Sequence, residues 1–228
     1  MFGAGTEGRD FIGWKVSGDD KLYQPGDKVP IEQDDSRSAE QDDDDWYFNH
    51  PATNVDVTIT AQWGMRWSDL QKEIDAANPG ATITLSCDVT AEPADTDMVV
   101  PRSQWVILDL NGHTLNRNAR NTNSSGSAID VRGRLKVIDS SAAKTGSITG
   151  GFAKLGGGII IRKDAKVELE NVKITGNAAT VTGGGIYAEG LDSAGDALTV
   201  SGNVQITGNI MDATAFNRAN NVRLGDSA

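Results

Sequence analysis

With Cys87 as its only cysteine, the chain cannot close an intrachain disulfide or build a cysteine-based metal site. That thiol lies in Thr82-Ile83-Thr84-Leu85-Ser86-Cys87-Asp88, a strand-like stretch where free cysteine serves as a small apolar residue. Aromatic residues are only 6% of the chain, so a core must be filled by small and β-branched side chains. No apolar run approaches the roughly 20 residues of a membrane-spanning helix, which argues against direct membrane insertion. The beginning Met1-Phe2-Gly3-Ala4-Gly5 lacks a basic n-region and an apolar h-region, so no signal peptide is expected in it. Cations are the scarcer charge: 21 Lys and Arg stand against 32 Asp and Glu, for a net charge of −11. Binding to nucleic acid or to anionic membranes depends on cations, so this balance argues against both partners. It favours a cationic partner or plain solubility.

Glycine and repetition are abundant. The chain has 26 glycines and 38% hydrophobic residues, too apolar a mixture for a disordered polymer. Val172-Lys173-Ile174-Thr175-Gly176-Asn177 returns thirty-two residues later as Val204-Gln205-Ile206-Thr207-Gly208-Asn209. An echo of this period on alternating residues marks a solenoid of stacked coils. Gly156-Gly157-Gly158-Ile159 likewise recurs as Gly183-Gly184-Gly185-Ile186, and Ala219-Asn220-Asn221-Val222 stands where a third such start belongs. The loop before each start is where length varies, and that edge and the outward faces are the expected binding surfaces.

Short strands are expected at Ala81–Cys87, Trp105–Leu110, Ala128–Val131, Leu135–Asp139, Ile159–Ile161, Lys166–Glu170 and Val172–Ile174, separated by Asn-Gly, Gly-Gly and Ser-rich breaks. Only one helix is foreseen before them. Ser68 is a good N-cap with Gln71 completing a capping box, Leu70, Ile74 and Ala77 share a face, and Asn78-Pro79-Gly80 ends it. Such a helix would cover the open end of a solenoid core. Asn111, Asn171, Asn177, Asn203 and Asn209 are expected to stack or cap at turns.

Residues before this helix differ in character. Phe11-Ile12-Gly13-Trp14 is an aromatic strand, Tyr23-Gln24-Pro25-Gly26 a Pro-Gly turn, and Val55 to Trp63 an alternating strand. Together, over residues 6–63, these pieces resemble the Listeria–Bacteroides repeat, the β-grasp-like module of internalin-type bacterial surface proteins. The opening strand of that module is missing here, and an insertion runs from Glu32 to Pro51. The stretch from Ala81 to Asp226, with its Gly-Gly-Gly-Ile-Tyr and Ile-Thr-Gly-Asn pieces, resembles the right-handed parallel β-helix of pectin-lyase-like proteins and polymorphic-outer-membrane-protein-type repeats.

The expected fold is therefore mostly β. A β-grasp-like module at 1–64, incomplete at its N-terminus, is followed by a capping helix at 65–80 and a right-handed parallel β-helix at 81–228. The end at Asp226-Ser227-Ala228 shows no capping pattern, so the solenoid is expected to continue.

Candidate chemistry is sparse. Asp109, Asp130 and Asp139 each alternate with apolar residues, which points them outward on solvated strand faces. Carboxylates on successive coils could then approach the separations that glycosidases use, so these three are the catalytic candidates if the chain is a polysaccharide lyase or glycoside hydrolase. Arg132, Arg134 and Lys136 could supply a lyase-type base. Asp42, Asp43, Asp44 and Asp45, with Asp34 and Asp35, are calcium candidates without EF-hand spacing, and Trp46-Tyr47-Phe48 is an aromatic triplet beside them. His50 and His113 are the only histidines, and no Ser–His–Asp set accompanies them.

No cofactor is implied. The favoured function is adhesion or display by an exported bacterial cell-surface protein, located at the surface or outside the cell. Its partner would be a host or bacterial surface protein or a glycan. The enzyme on a β-helix scaffold is the alternative.

Overall fold

The computed structural model describes residues 10–17, 22–23, 26–28, 58–119, 125–189, 197–213 and 216–224. The chain divides into two units, Met1–Trp63 and Gly64–Ala228.

The first unit holds a three-stranded sheet. In it β1 (Asp10–Val16) is central, β2 (Leu22–Tyr23) runs antiparallel to it with Trp14 opposite Tyr23, and β3 (Ile59–Gly64) pairs on the other side. Phe11 meets Trp14 and Trp63 edge-on at 4.9 and 5.6 Å between centroids, a geometry worth about 0.5–1.5 kcal/mol per pair beyond buried area. Gly26 has φ +97°, a region that glycine enters without steric cost. Pro25, Val55–Val57 and the insertion at 32–51 lie outside the described residues.

The second unit is a parallel β-solenoid with four walls. The first wall stacks Ala81–Thr84, Trp105–Asp109, Arg134–Ile138, Lys166–Glu170 and Leu198–Ser201. The second stacks Val89–Thr90, Thr114–Asn116, Ser147–Thr149, Lys173–Thr175 and Gln205–Thr207. The third stacks Met98–Val100, Ile129–Val131, Ile159–Ile161, Ile186–Ala188 and Val222–Leu224. A fourth, between the second and third, pairs Phe152–Leu155 with Ala178–Thr182 and then Ile210–Ala213, which turns back as an antiparallel hairpin with Phe216–Ala219. The expected strands at 81, 105, 128, 135, 159, 166 and 172 are all present within a few residues. The strand at Ala81 stops at Thr84, which leaves Cys87 in the bend that follows, where its Sγ accepts a hydrogen bond from Met65 N at 3.1 Å.

Register explains the core. Leu108 pairs with Ile83 and Val137, and Val137 with Leu169, so one row of buried apolar side chains crosses four coils and ends at Val200, which is exposed. Val89, Leu115, Ile148, Ile174 and Ile206 form a second row, and Met98, Ile129, Ile159, Ile186 and Val222 a third. Each fully buried Val, Leu or Ile contributes about 1.5–3 kcal/mol. Aromatics are hardly needed, because like-shaped aliphatic side chains stacked one coil apart make up the buried cluster. The echo noted in the sequence is this register: Lys173, Ile174 and Thr175 pair with Gln205, Ile206 and Thr207.

Backbone spacing at the glycine starts is closer still. Gly158 N donates to Gly184 O at 3.1 Å, Ile159 N to Gly185 O at 2.9 Å and Ile186 N to Asn221 O at 2.8 Å. The Asn-Asn-Val start thus occupies the place of Gly-Gly-Gly-Ile. Beside this corner runs an asparagine ladder. Asn177 Nδ2 donates to Asn209 Oδ1 at 3.0 Å, to Ile148 O and to Thr175 O, and Asn177 Oδ1 accepts from Gly151 N. Asn209 repeats the pattern toward Ile174 O, Thr207 O and Asn221 Oδ1. Both side chains are buried, and the ladder satisfies backbone groups that the turn leaves unpaired.

Helix α1 (Trp67–Ala76) buries Trp67, Leu70 and Ile74 in the same core as the first coil. Its N-cap is Arg66, in an extended conformation and without a side-chain cap bond, so the expected Ser68–Gln71 capping box does not form. Gln71 is engaged elsewhere. Its Oε1 accepts from Val99 N at 2.7 Å and its Nε2 donates to Val99 O at 2.9 Å, which closes the exposed edge of the third wall as a neighbouring strand would. Gln104 Nε2 returns the favour by donating to Asp75 O at 2.7 Å.

Candidate functional site

The three carboxylates proposed from alternation are not solvated. Asp109, Asp130 and Asp139 are 5%, 2% and 1% exposed, which corrects the expectation of wet-face acids. Alternation gives their direction correctly, but turns and neighbouring side chains then cover them. Asp109 Oδ1 accepts from Asn111 N in its own turn and from Ser140 N one coil later, both at 3.0 Å. Asp139 mirrors this, accepting from Ser141 N in its own turn and Gly112 N one coil earlier, both at 2.9 Å, and from Gly146 N at 2.6 Å. The two aspartates staple adjacent coils. Burial alone would raise the Asp139 pKa, but these hydrogen bonds outweigh it and hold the carboxyl below its ordinary value.

Asp130 does not stack with Asp109. Asp109 lies in register with Thr84 and Ile138, whereas Asp130 is on another wall in register with Val99 and Ile160. Asp130 is sheathed by arginines instead. Arg162 grips it with Nε to Oδ1 at 2.9 Å and Nη2 to Oδ2 at 3.1 Å, Arg132 adds Nη2 to Oδ2 at 2.9 Å, and Arg162 Nη1 extends to Glu189 Oε1 at 2.8 Å. Burial pushes the Asp130 pKa up, yet the two guanidiniums win and hold it below the usual carboxylate range, and Arg162 is raised in turn.

Arg162→Ala should cost about 2 kcal/mol at neutral pH. The 3–5 kcal/mol typical of breaking a fully buried pair is reduced because Arg132 remains and the Arg162 side chain is 35% exposed. Asp130's depressed pKa means that its contribution is present above the unfolded carboxylate value and is lost as pH falls through the folded one. Urea midpoints of wild type and variant should therefore differ at pH 7 and converge in acid.

On the outer face of the first wall, Arg134 pairs with Glu168 at 2.5 Å and Lys136 with Glu170 at 2.8 Å. Arg134 also lies 4.8 Å from the centroid of the Trp105 ring, an attractive cation–π arrangement. Arg132, Arg134 and Lys136 are thus each engaged by a carboxylate rather than poised as free bases. His113 sits in the Asn111-Gly112 turn, its backbone N donating to Leu110 O at 2.7 Å, with Nδ1 3.4 Å from Asp88. Asp34, Asp35, Asp42–Asp45, Trp46–Phe48 and His50 lie outside the described residues. Among the described residues no three His, Cys, Asp or Glu side chains converge as a metal site would require.

One open groove of about 390 Å³ runs along the turn row between the third and first walls, lined by Arg102, Trp105, Arg132, Arg134, Asp164 and Lys166 among others. Arg102 reaches Asp164 only at 3.9 Å, with both side chains about two-thirds exposed (68% and 66%). The sequence points to Arg132 and Arg134 as candidate bases and to the edge before the glycine starts and the outward faces as binding surfaces, but not to this groove, which Arg102, Asp164 and Lys166 complete. Its signal was available as the cation that follows the first three third-wall strands: Arg102 shortly after Val100, Arg132 after Val131, and Arg162-Lys163 after Ile161. A fully buried arginine was also unforeseen. Arg117 donates from Nη2 to Asp95 O at 2.8 Å and lies 6.0 Å from the Trp67 ring centroid, fastening the helix end of the core.

Fold and groove together define a helix-capped parallel β-solenoid with an ionic turn row. Comparisons with family models, curated proteins and solved structures find no match.

Proposed function

We propose that this chain belongs to an exported bacterial cell-surface protein in which the solenoid serves adhesion or display without catalysis. In this reading the first unit is a Listeria–Bacteroides-type module, and the solenoid is a right-handed β-helix of the kind carried by surface proteins with polymorphic-outer-membrane-protein-type repeats. The partner is a surface protein or glycan met outside the cell.

The observation that carries the reading is the use made of the acids. A lyase or glycosidase on this scaffold needs a carboxyl free to take or give a proton to substrate, or a cation free to act as base. Asp109 and Asp139 accept backbone N–H groups, and Asp130 is enclosed by Arg132 and Arg162. Each is spent on holding coils together. A binding or display surface makes no such demand, and a stiff stack of in-register coils suits it, because the outward residues of successive coils form a periodic array.

The test is turnover. Incubation with neutral, uronic and sulfated polysaccharides should release neither reducing ends nor unsaturated uronates. Release that disappears in Asp130→Asn, with far-UV circular dichroism unchanged, would sink the reading in favour of an enzyme.

A further inference from the structure

We propose that the fifth coil is the contact face of a two-fold dimer, in which two copies of this chain meet end to end. The inference stands apart from what the walls bind and from whether the chain is an enzyme.

The stack changes character at this coil. In the fourth coil the inward Leu169, Ile174, Ile186 and Ala188 are at most 1% exposed. Their partners one coil on are Val200, Ile206, Val222 and Leu224. Of these, Val200, Val222 and Leu224 are 54%, 40% and 47% exposed, and Leu198, Val204 and Ile206 are only partly covered. The apolar rows thus run out onto a surface. Among the described residues, Leu198–Ser201, Gln205–Thr207 and Val222–Leu224 each pair with the coil before them and with no strand beyond.

Charge points to what covers this end. Edge strands that stay in water are blunted by charged side chains, lysine above all. The fourth coil carries Glu168, Glu170 and Lys173 on its first two walls, and the fifth has Thr199, Ser201 and Gln205 at the paired positions. Residues 197–211 contain no Lys, Arg, Asp or Glu. An uncharged end meets an identical end without repulsion, and it offers a charged partner nothing to complement. The net charge of −11 does not oppose this, because residues 64–228 hold 18 carboxylates against 16 Lys and Arg.

Strand direction selects the relation between copies. Ile210–Ala213 is followed on the fourth wall by Phe216–Ala219, which runs antiparallel to it. A further parallel coil would find that edge already taken. A copy turned about a two-fold axis across the stack presents its strands antiparallel, the sense this end already accepts. The other end limits growth, because α1 buries Trp67, Leu70 and Ile74 over the first coil and Gln71 occupies the edge at Val99. With one open end per chain, association closes at two copies and cannot extend into a fibre.

Sedimentation velocity of the whole chain over a range of concentrations tests the assignment. It should show a step from 24.1 kDa to twice that mass and no larger species. Thr199→Lys/Ser201→Lys places cations beside Glu168 and Glu170 without entering the core. That variant should keep the far-UV circular dichroism of wild type, weaken the dimer at least tenfold, and regain part of the loss in high salt, which screens like charges across the axis. Val200→Lys/Val222→Lys should abolish the dimer. Val181→Lys, at a similarly exposed apolar position (47%) on the fourth wall, should alter it less than twofold. A monomer up to the solubility limit, species that keep growing beyond two copies, or equal weakening by Val181→Lys would overturn the proposal.

Discussion

Asp139→Asn is expected to lower the stability of the solenoid by about 3 kcal/mol, and Asp139→Ala by about 5 kcal/mol. The carboxylate accepts three backbone N–H groups from Gly112, Ser141 and Gly146 while 1% exposed. Hydrogen bonds to a charged group contribute roughly 1.5–3 kcal/mol, and a buried donor left unpaired costs about 1–3 kcal/mol. Asparagine keeps an acceptor for Gly112 and Ser141 but turns an amide N–H₂ toward the Gly146 N–H, so it loses one bond and gains a repulsion. Alanine loses all three. The sign with pH follows from the depressed carboxyl: its stabilisation is present above the unfolded pKa, about 3.9, and is lost as pH falls through the folded value. Urea unfolding followed by far-UV circular dichroism should place the variants well below wild type at pH 7 and closer to it in acid. Equal midpoints at pH 7 would contradict the staple.

Gly157→Ala should be at least as damaging, lowering stability by about 3 kcal/mol or more, or detaching the coils after it. A Cβ there would press on Ala178 O and stand 2.6 Å from Gly184 O, both backbone atoms of the next coil. Side chains can rotate away from an intruder, whereas these carbonyls are fixed by the hydrogen bonds of the stack, so the coils must separate. Gly208→Ala is the informative contrast. Its φ of +66° makes alanine unfavourable by about 1–2 kcal/mol, but the nearest atom is the hydroxyl of Thr175 at 3.1 Å. Limited proteolysis should expose the chain after Gly157 in the first variant and leave the second near wild type.

The sequence reader could see the solenoid because its register is written in repetition. Ile-Thr-Gly-Asn and Gly-Gly-Gly-Ile recur at the coil period, and the structure stacks them residue on residue. The Asn-Asn-Val start was legible for the same reason, through its alignment with Ile186. Other features escaped because they depend on atoms a coil away. Alternation correctly turned Asp109 outward, but its cover comes from Ser140, thirty-one residues on. Ser68 and Gln71 satisfy a local capping rule, yet Gln71 secures more by closing the edge at Val99, on the side away from Ile129–Val131 where no strand pairs with it. The fourth wall looked like loop: Ala178-Ala179-Thr180-Val181-Thr182 is short and half-exposed, so its pattern carries no core face. The groove was dispersed among turns some thirty residues apart, and each cation by itself is indistinguishable from solvated charge.

A gene for such a chain can lengthen or shorten only in whole coils. Each asparagine at the corner bonds an amide and a carbonyl of the coil before it, and Asn177 also meets Asn209 of the coil after; Gly157, Gly158, Gly184 and Gly185 each lie under a carbonyl of the next coil. A duplication of any other length would set a side chain where only hydrogen fits and leave the buried asparagines without partners. Copy-number variation among relatives should therefore be quantised, with surplus residues accommodated in the turns between walls, where the spacing of paired strands already differs from coil to coil.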